Sequence, residues 1–185
     1  MIVIVMGVCG CGKTTVGEAL AEKLQCEFAD ADDFHPEANK VKMGQAIPLT
    51  DEDRIPWLIS IHHYIMRLFT EGNNGIVTCS ALKKMYRGIL ASGEVTPNKD
   101  YAEKLPVLFV YLKGDRDLLN QRMEGRSGHF MPVSLLDSQL ATLEEPDASE
   151  KAVTVSIDNS VDDIVAMVVK ECEKTLGRSM NSEDS

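Results

Sequence analysis

The strongest constraint on this chain lies in its first fifteen residues. Ile2-Val3-Ile4-Val5-Met6 is a short, largely β-branched apolar run, and Gly7-Val8-Cys9-Gly10-Cys11-Gly12-Lys13-Thr14 follows it without a spacer. The octet reads G-x-x-x-x-G-K-[ST], and an apolar helical spacing at Val16, Leu20 and Leu24 continues from it to about Gln25. Glycines let backbone N–H groups turn inward on phosphate oxygens, and the helix that follows aims its positive end at the same point. Gly7, Val8, Cys9, Gly10, Cys11, Gly12, Lys13, Thr14 and Thr15 are therefore expected to hold the phosphates of a nucleotide. Lys13 would place a point charge on the β- and γ-phosphates, and Thr14 a hydroxyl on Mg²⁺.

The remainder of the chain reads as one domain. Its 185 residues are 44% hydrophobic and 26% charged, ordinary values for a folded domain with a sizeable core. We place that domain at 1–177, with a mobile lid at about 125–133 and a disordered tail at 178–185. Lys+Arg 19 against Asp+Glu 29 gives net charge -10, which repels nucleic acid and anionic membrane. Anion affinity must then be local, and the expected partners are small molecules. The five cysteines have no zinc spacing, and no apolar stretch approaches the roughly 18 residues of a membrane span. The N-terminal apolar run lacks a basic flank and enters the glycine loop directly, so it reads as a core strand in a reducing, cytoplasmic protein.

Strands are expected at 2–6, 27–30, 76–79, 107–112 and 153–157, separated by helical patterns. Helices are expected after Pro36, from an N-cap at Thr50 to about Thr70, over 83–91 and 115–124, through Leu136, Leu140 and Leu143, and from Val161. Pro56 is assigned to the first turn of its helix, and 92–104 to a polar surface excursion. Strands alternating with helices predict a three-layer α/β/α fold on a five-stranded parallel sheet, which binds ligands beyond the strands' carboxyl ends.

Three absences narrow the class. No D-x-x-G occurs, Asn98-Lys99-Asp100 is one residue short of a guanine-reading N-K-x-D, and no long apolar strand ends in the aspartate of a motor ATPase. A phosphotransferase with carboxylates after the second strand remains. Arg122-Met123-Glu124-Gly125-Arg126 resembles the R-x-x-G-R at the lid entrance of adenylate-kinase-like enzymes. That resemblance implies that Arg122 stacks on adenine and Arg126 reaches the phosphates, tasks that suit a planar cation. The plainer alternative is two arginines favoured by a helix C-terminus.

Asp30-Ala31-Asp32-Asp33-Phe34-His35-Pro36, Asp51-Glu52-Asp53-Arg54-Ile55-Pro56-Trp57-Leu58 and Cys79-Ser80-Ala81-Leu82-Lys83-Lys84-Met85-Tyr86-Arg87 are distinctive strings. With the glycine loop and Gly128-His129-Phe130-Met131, they closely resemble the P-loop gluconate kinases over about 3–175. The resemblance implies phosphoryl transfer from ATP to D-gluconate, giving 6-phospho-D-gluconate and ADP, in a homodimer. Asp32 is the candidate base or orienting carboxylate and Asp33 its alternative; either can reach Mg²⁺ through water. Lys13, Asp32 and Arg126 form the expected catalytic set.

His35, Arg54, Lys84, Arg87 and His129 are candidates for binding the anionic polyol together with Asp32. Arg54 opposes the dipole in the first turn of its helix, so it needs either an anionic ligand or a partner such as Asp51 or Asp53. Lys83 and Lys84 open a helix under the same penalty, and either is alternatively only solvated. His35 donates to substrate or packs the turn beside Pro36, while His62 and His63 read as structural or interfacial. Trp57, Met66 and Met85 read as core or lid contacts.

The loop departs from the family, because Cys9 and Cys11 stand where G-V-S-G-S-G-K is common. The loop works through backbone N–H groups, so the replacement reads as neutral for binding; the alternative is that a thiol beside Lys13 at a helix start has a lowered pKa and is open to oxidation. Shikimate kinase is the nearest rival, but its three glycines after the third strand are replaced here by Cys79-Ser80-Ala81-Leu82-Lys83-Lys84. A non-catalytic nucleotide-binding protein is the alternative of different class.

Overall fold

The computed structural model describes residues 1–45, 47–96, 107–124 and 133–181. Arg126, His129 and nearly all of the expected lid lie outside these residues, as do most of the polar excursion and 182–185. The order is β1 (Ile2–Met6), α1 (Lys13–Leu24), β2 (Glu27–Asp30), a 3₁₀ turn (Ala31–Phe34), α2 (Glu37–Gly44), α3 (Asp51–Thr70) and β3 (Gly75–Thr78). It continues with α4 (Lys84–Ser92), β4 (Val107–Lys113), α5 (Arg116–Glu124), α6 (Val133–Thr142), β5 (Ala152–Ser156) and α7 (Val161–Asn181).

The five strands are parallel, in the order β2-β3-β1-β4-β5. All five residues of β1 are buried, as its near-continuous apolar run requires of a central parallel strand. Its alternate side chains feed two cores. Val3 and Val5 pack with Val16 and Leu20 of α1 and Val168 and Cys172 of α7. Ile2, Ile4 and Met6 pack with Leu58, Ile61, Ile65 and Leu68 of α3 and Ile89 and Leu90 of α4. The sheet is covered on both faces, as expected.

Local chemistry sets the boundaries. Thr50 accepts from the Asp53 N–H while the Asp53 carboxylate accepts from the Thr50 N–H, a reciprocal cap that starts α3. Pro56 is the sixth residue of that helix and lies beyond its first turn, so the ring removes one ordinary i→i−4 bond there. The 3₁₀ turn after β2 has no counterpart among the expected elements; the Asp30 side chain caps it by accepting from Asp32 N. The backbone of α7 is helical from Val161 to Asn181.

Candidate functional site

Register brings the site together. Thr78 lies opposite both Val5 and Asp30, so the chain leaves β1, β2 and β3 at neighbouring points, and Gly7 N donates to Ser80 O at 3.3 Å. β1 also has β4 on its other side, which makes its carboxyl end the switch point of the sheet.

The loop leaving β1 is shaped by its glycines. Gly12 caps α1 at φ 95, a left-handed conformation that costs glycine nothing. A Cβ on Gly7 would stand 2.8 Å from Cys11 Sγ and 3.0 Å from the Leu112 carbonyl, so the backbone passes too close for any side chain. Lys13 Nζ donates to the Gly7 and Val8 carbonyls at 3.0 Å each, which lays the ammonium across the loop. Arg122 Nη2 donates to Ile157 O at 2.6 Å, and its Nη1 lies 3.9 Å from where a Gly12 Cβ would be. The guanidinium therefore borders the start of α1, close to where a nucleotide's phosphates would meet the helix.

Two residues beside this loop are absent from the set expected from sequence. Thr14 Oγ1 donates to Asp30 Oδ2 at 3.5 Å, so the last carboxylate of β2, and not only those of the following turn, faces the hydroxyl. Gln139 of α6 accepts from Cys9 N at 2.7 Å, tying the helix after residue 132 to the phosphate loop. Strand-end position is a usable signal for Asp30; nothing local points to Gln139. The alternative of an activated thiol is not supported at Cys11, which is 1% exposed. Burial raises its pKa above the ordinary value, and the charges of Lys13 and Arg122 offset that only in part.

Across from the loop, Trp57 Nε1 of α3 donates to the Ala31 carbonyl at 2.7 Å and holds the 3₁₀ turn that carries Asp32 and Asp33. The Asp32 side chain is largely exposed. Partial desolvation raises its pKa, repulsion from Asp30 and Asp33 adds to this, and Lys13 opposes it. His35 stacks on Trp57 with centroids 4.2 Å apart and planes 11° apart, and its Nε2 lies 3.9 Å from Asp32 Oδ1. Burial, then the charges of Arg54 and Lys40, lower the His35 pKa to about 4, so the ring is neutral.

The cations divide into two groups. Asp51 is taken by Lys83 at 2.8 Å and by the Tyr86 hydroxyl, and Asp53 by Lys42 at 2.7 Å. Neither pairs with Arg54, whose guanidinium lies 6.0 Å from the Tyr86 ring centroid without a carboxylate partner among the described residues.

Arg87 is tied into the protein. It is 1% exposed, grips Glu150 through Nε and Nη2, and donates Nη1 to the Ala81 and Leu82 carbonyls. These bonds clamp the turn in which Ala81 adopts φ 45, so Arg87 does not stand free for substrate. Lys84 is likewise drawn away, to Asp147 at 2.7 Å and Ser149 at 3.0 Å, while Lys83 faces Asp51. His62 Nδ1 donates to the Leu90 carbonyl at 3.0 Å, consistent with a structural reading.

Comparison with known proteins adds to this geometry. Residues 9–176 match the family model described as Shikimate kinase. A "Probable gluconokinase" of Xenopus tropicalis is 44% identical over 97% of this chain and 95% of its own length. The "Thermosensitive gluconokinase" of Escherichia coli (strain K12) is 43% identical over 94% of this chain and 86% of its own. The crystal structure of a gluconokinase from Sinorhizobium meliloti 1021 superposes with TM-score 0.76 at 40% identity, covering 97% of this chain and 93% of that one.

Proposed function

This chain belongs to the shikimate kinase family and, within it, groups with the gluconokinases; on that premise we propose that it transfers the γ-phosphoryl group of ATP to D-gluconate. The products are ADP and 6-phospho-D-gluconate. One observation favours an anionic acceptor above all: Arg54 keeps no carboxylate partner among the described residues, although Asp51 and Asp53 belong to its own turn. A half-buried cation whose neighbouring acids are already committed suits the carboxylate of a sugar acid.

In this reading the loop N–H groups and Lys13 hold the β- and γ-phosphates, and Arg122 borders the nucleotide. Arg126 and His129 are proposed to complete the site from the lid. Asp32 accepts the proton of the attacking hydroxyl, and its raised pKa suits a group that must take up a proton. Phosphoryl transfer depends more on positioning and charge stabilisation than on proton abstraction. The residues fit Mg²⁺ as a companion of the nucleotide: Thr14 and Asp30 present hard oxygens side by side, and the mutual repulsion of Asp30, Asp32 and Asp33 favours a divalent cation. Thr14 would hold the ion, with Asp30, Asp32 or Asp33 reached through water, and it would neutralise charge on the phosphates. No group of three or more metal-ligating side chains is found among the described residues. No helix among them is long and apolar enough to cross a membrane. A homodimer is proposed on the family resemblance, and a cytoplasmic location on the cysteine usage.

A coupled ADP-release assay with gluconate, shikimate, glycerate and several sugars tests the reading. Gluconate should support turnover at micromolar-to-millimolar concentration and shikimate should not. Activity with shikimate alone would overturn the acceptor and leave the fold standing.

A further inference from the structure

Asn39, in the first turn of α2, is 3% exposed, which is unusual for an amide and raises the question of what its hydrogen bonds hold in place. Its Nδ2 donates to the Asp53 carbonyl at 2.9 Å and stands 3.3 Å from His35 Nδ1. A carbonyl only accepts, so the amide atom facing Asp53 must be the NH₂ group and not the oxygen. The same NH₂ faces the imidazole and can only donate to it. Nδ1 is then the lone-pair nitrogen, and the ring proton sits on Nε2, the nitrogen turned toward Asp32. Trp57 fixes the plane of the ring by stacking, and its own N–H fixes the turn carrying Asp32.

We propose that Asn39 is a positioning residue that holds His35 in the Nε2–H tautomer, so that the imidazole offers the acceptor substrate a donor and never a lone pair. The consequence is directional. An attacking hydroxyl must release its proton to Asp32 while keeping an oxygen lone pair toward phosphorus. A bare imidazole nitrogen at this place would compete for that proton and turn the hydroxyl away. With Nε2 protonated, Asp32 is the acceptor and His35 hydrogen-bonds an oxygen of the substrate. The effect on the hydroxyl rests on the phosphotransfer reading above; the tautomer does not.

The test uses the full chain with ¹⁵N-labelled histidine, free of substrates, at one neutral pH. The His35 resonances are identified by their loss in His35→Gln. The expected spectrum shows protonated Nε2 and unprotonated Nδ1; an Nδ1–H tautomer or a rapid mixture of the two overturns the proposal. Asn39→Asp replaces the donor by an acceptor and should move the proton to Nδ1. Its kcat with gluconate should fall on the order of 10- to 100-fold while KM for ATP stays within about twofold. A folded Asn39→Asp with unchanged kcat, or with the same loss in every kinetic constant, overturns the positioning role. If that variant does not fold, the wild-type spectrum still decides the tautomer. If the wild type phosphorylates no gluconate, the acceptor reading fails, and the spectrum decides the tautomer independently of it.

Discussion

The nucleotide side and the acceptor side of this cleft are built by opposite means. On the nucleotide side, position comes from backbone: Gly12 enters α1 left-handed, and Lys13 folds onto carbonyls five and six residues away. On the acceptor side, position comes from distant side chains. Trp57 holds Ala31 across 26 residues, Lys83 holds Asp51 across 32, and Arg87 holds Glu150 across 63. A backbone-built site is written in one short stretch of sequence. A partner-built site exists only once the sheet has assembled, and in it neighbouring cations of one type take different tasks.

The largest effects should come from one residue on each side. Asp32→Asn should lower kcat by about 10²–10⁴ and leave KM for ATP nearly unchanged. Lys13→Ala should cost on the order of 10²–10³ in kcat, since it removes one preorganised charge from the phosphates. Steady-state kinetics with both substrates varied separates the two. An Asp32→Asn enzyme with near-normal kcat would remove that carboxylate from the mechanism.

Next comes a contrast within the acceptor side. Arg87→Ala leaves Glu150, whose side chain is 11% exposed, without its partner, and frees a turn with a left-handed alanine. Breaking such a buried pair costs about 3–5 kcal/mol, readable as a lowered denaturation midpoint. Arg54→Ala should change stability by about 0.5 kcal/mol or less, yet raise KM for gluconate roughly tenfold to a hundredfold. An Arg87→Ala protein of unchanged stability but raised KM for gluconate would restore the substrate-binding role expected of Arg87 from sequence.

That contrast marks how far the sequence can be read. The sheet, its two covering layers and the phosphate loop follow from local spacing, and the α3 cap is visible in Thr50 and Asp53. Asp32 and His35 are legible because they follow a strand end. Arg54, Lys84 and Arg87 look alike on paper, three cations in first turns or distinctive strings. Only the third dimension shows that Asp147 and Glu150 claim two of them. Asn39 and Gln139 carry no chemistry of their own and act by holding something else, so no motif announces them; Trp57 stands in a distinctive string, but its hold on the Ala31 carbonyl does not show there. Asp30 is the last residue of its strand, one step before the acidic turn that draws the eye, and its place beside Thr14 depends on how β2 and α1 lie in space.

A smaller effect concerns the loop thiols. Cys11 is buried with a raised pKa, so little thiolate exists at neutral pH to react. Peroxide should inactivate the wild type and a Cys9→Ser/Cys11→Ser variant at rates within about twofold of each other, with ATP binding retained in both. A large protection by the double substitution would instead make the loop a redox element.

The smallest effect is an acid limb whose sign differs among neighbouring carboxylates. Hydrogen bonds from Lys83 and then Tyr86 hold the Asp51 carboxyl below its ordinary range, and Lys42 and the Thr50 N–H do so for Asp53. A depressed folded pKa contributes stability that is complete above the unfolded value of about 4 and is lost as pH falls through the folded value. Asp51 is 43% exposed and Asp53 19%, so the contribution is modest and weakens with added salt. Asp32 works in the opposite sense: its folded pKa is raised, so its charge costs stability at neutral pH, and protonation relieves that cost as the pH drops. Asp32→Asn should therefore be slightly more stable than wild type near neutrality, and should lose stability more steeply below about pH 5, because the compensating relief is gone. Denaturation midpoints of both proteins from about pH 3 to 7 read this directly. Parallel curves would mean that Asp32 carries no strain, and that its place in the cleft is not one of crowded negative charge.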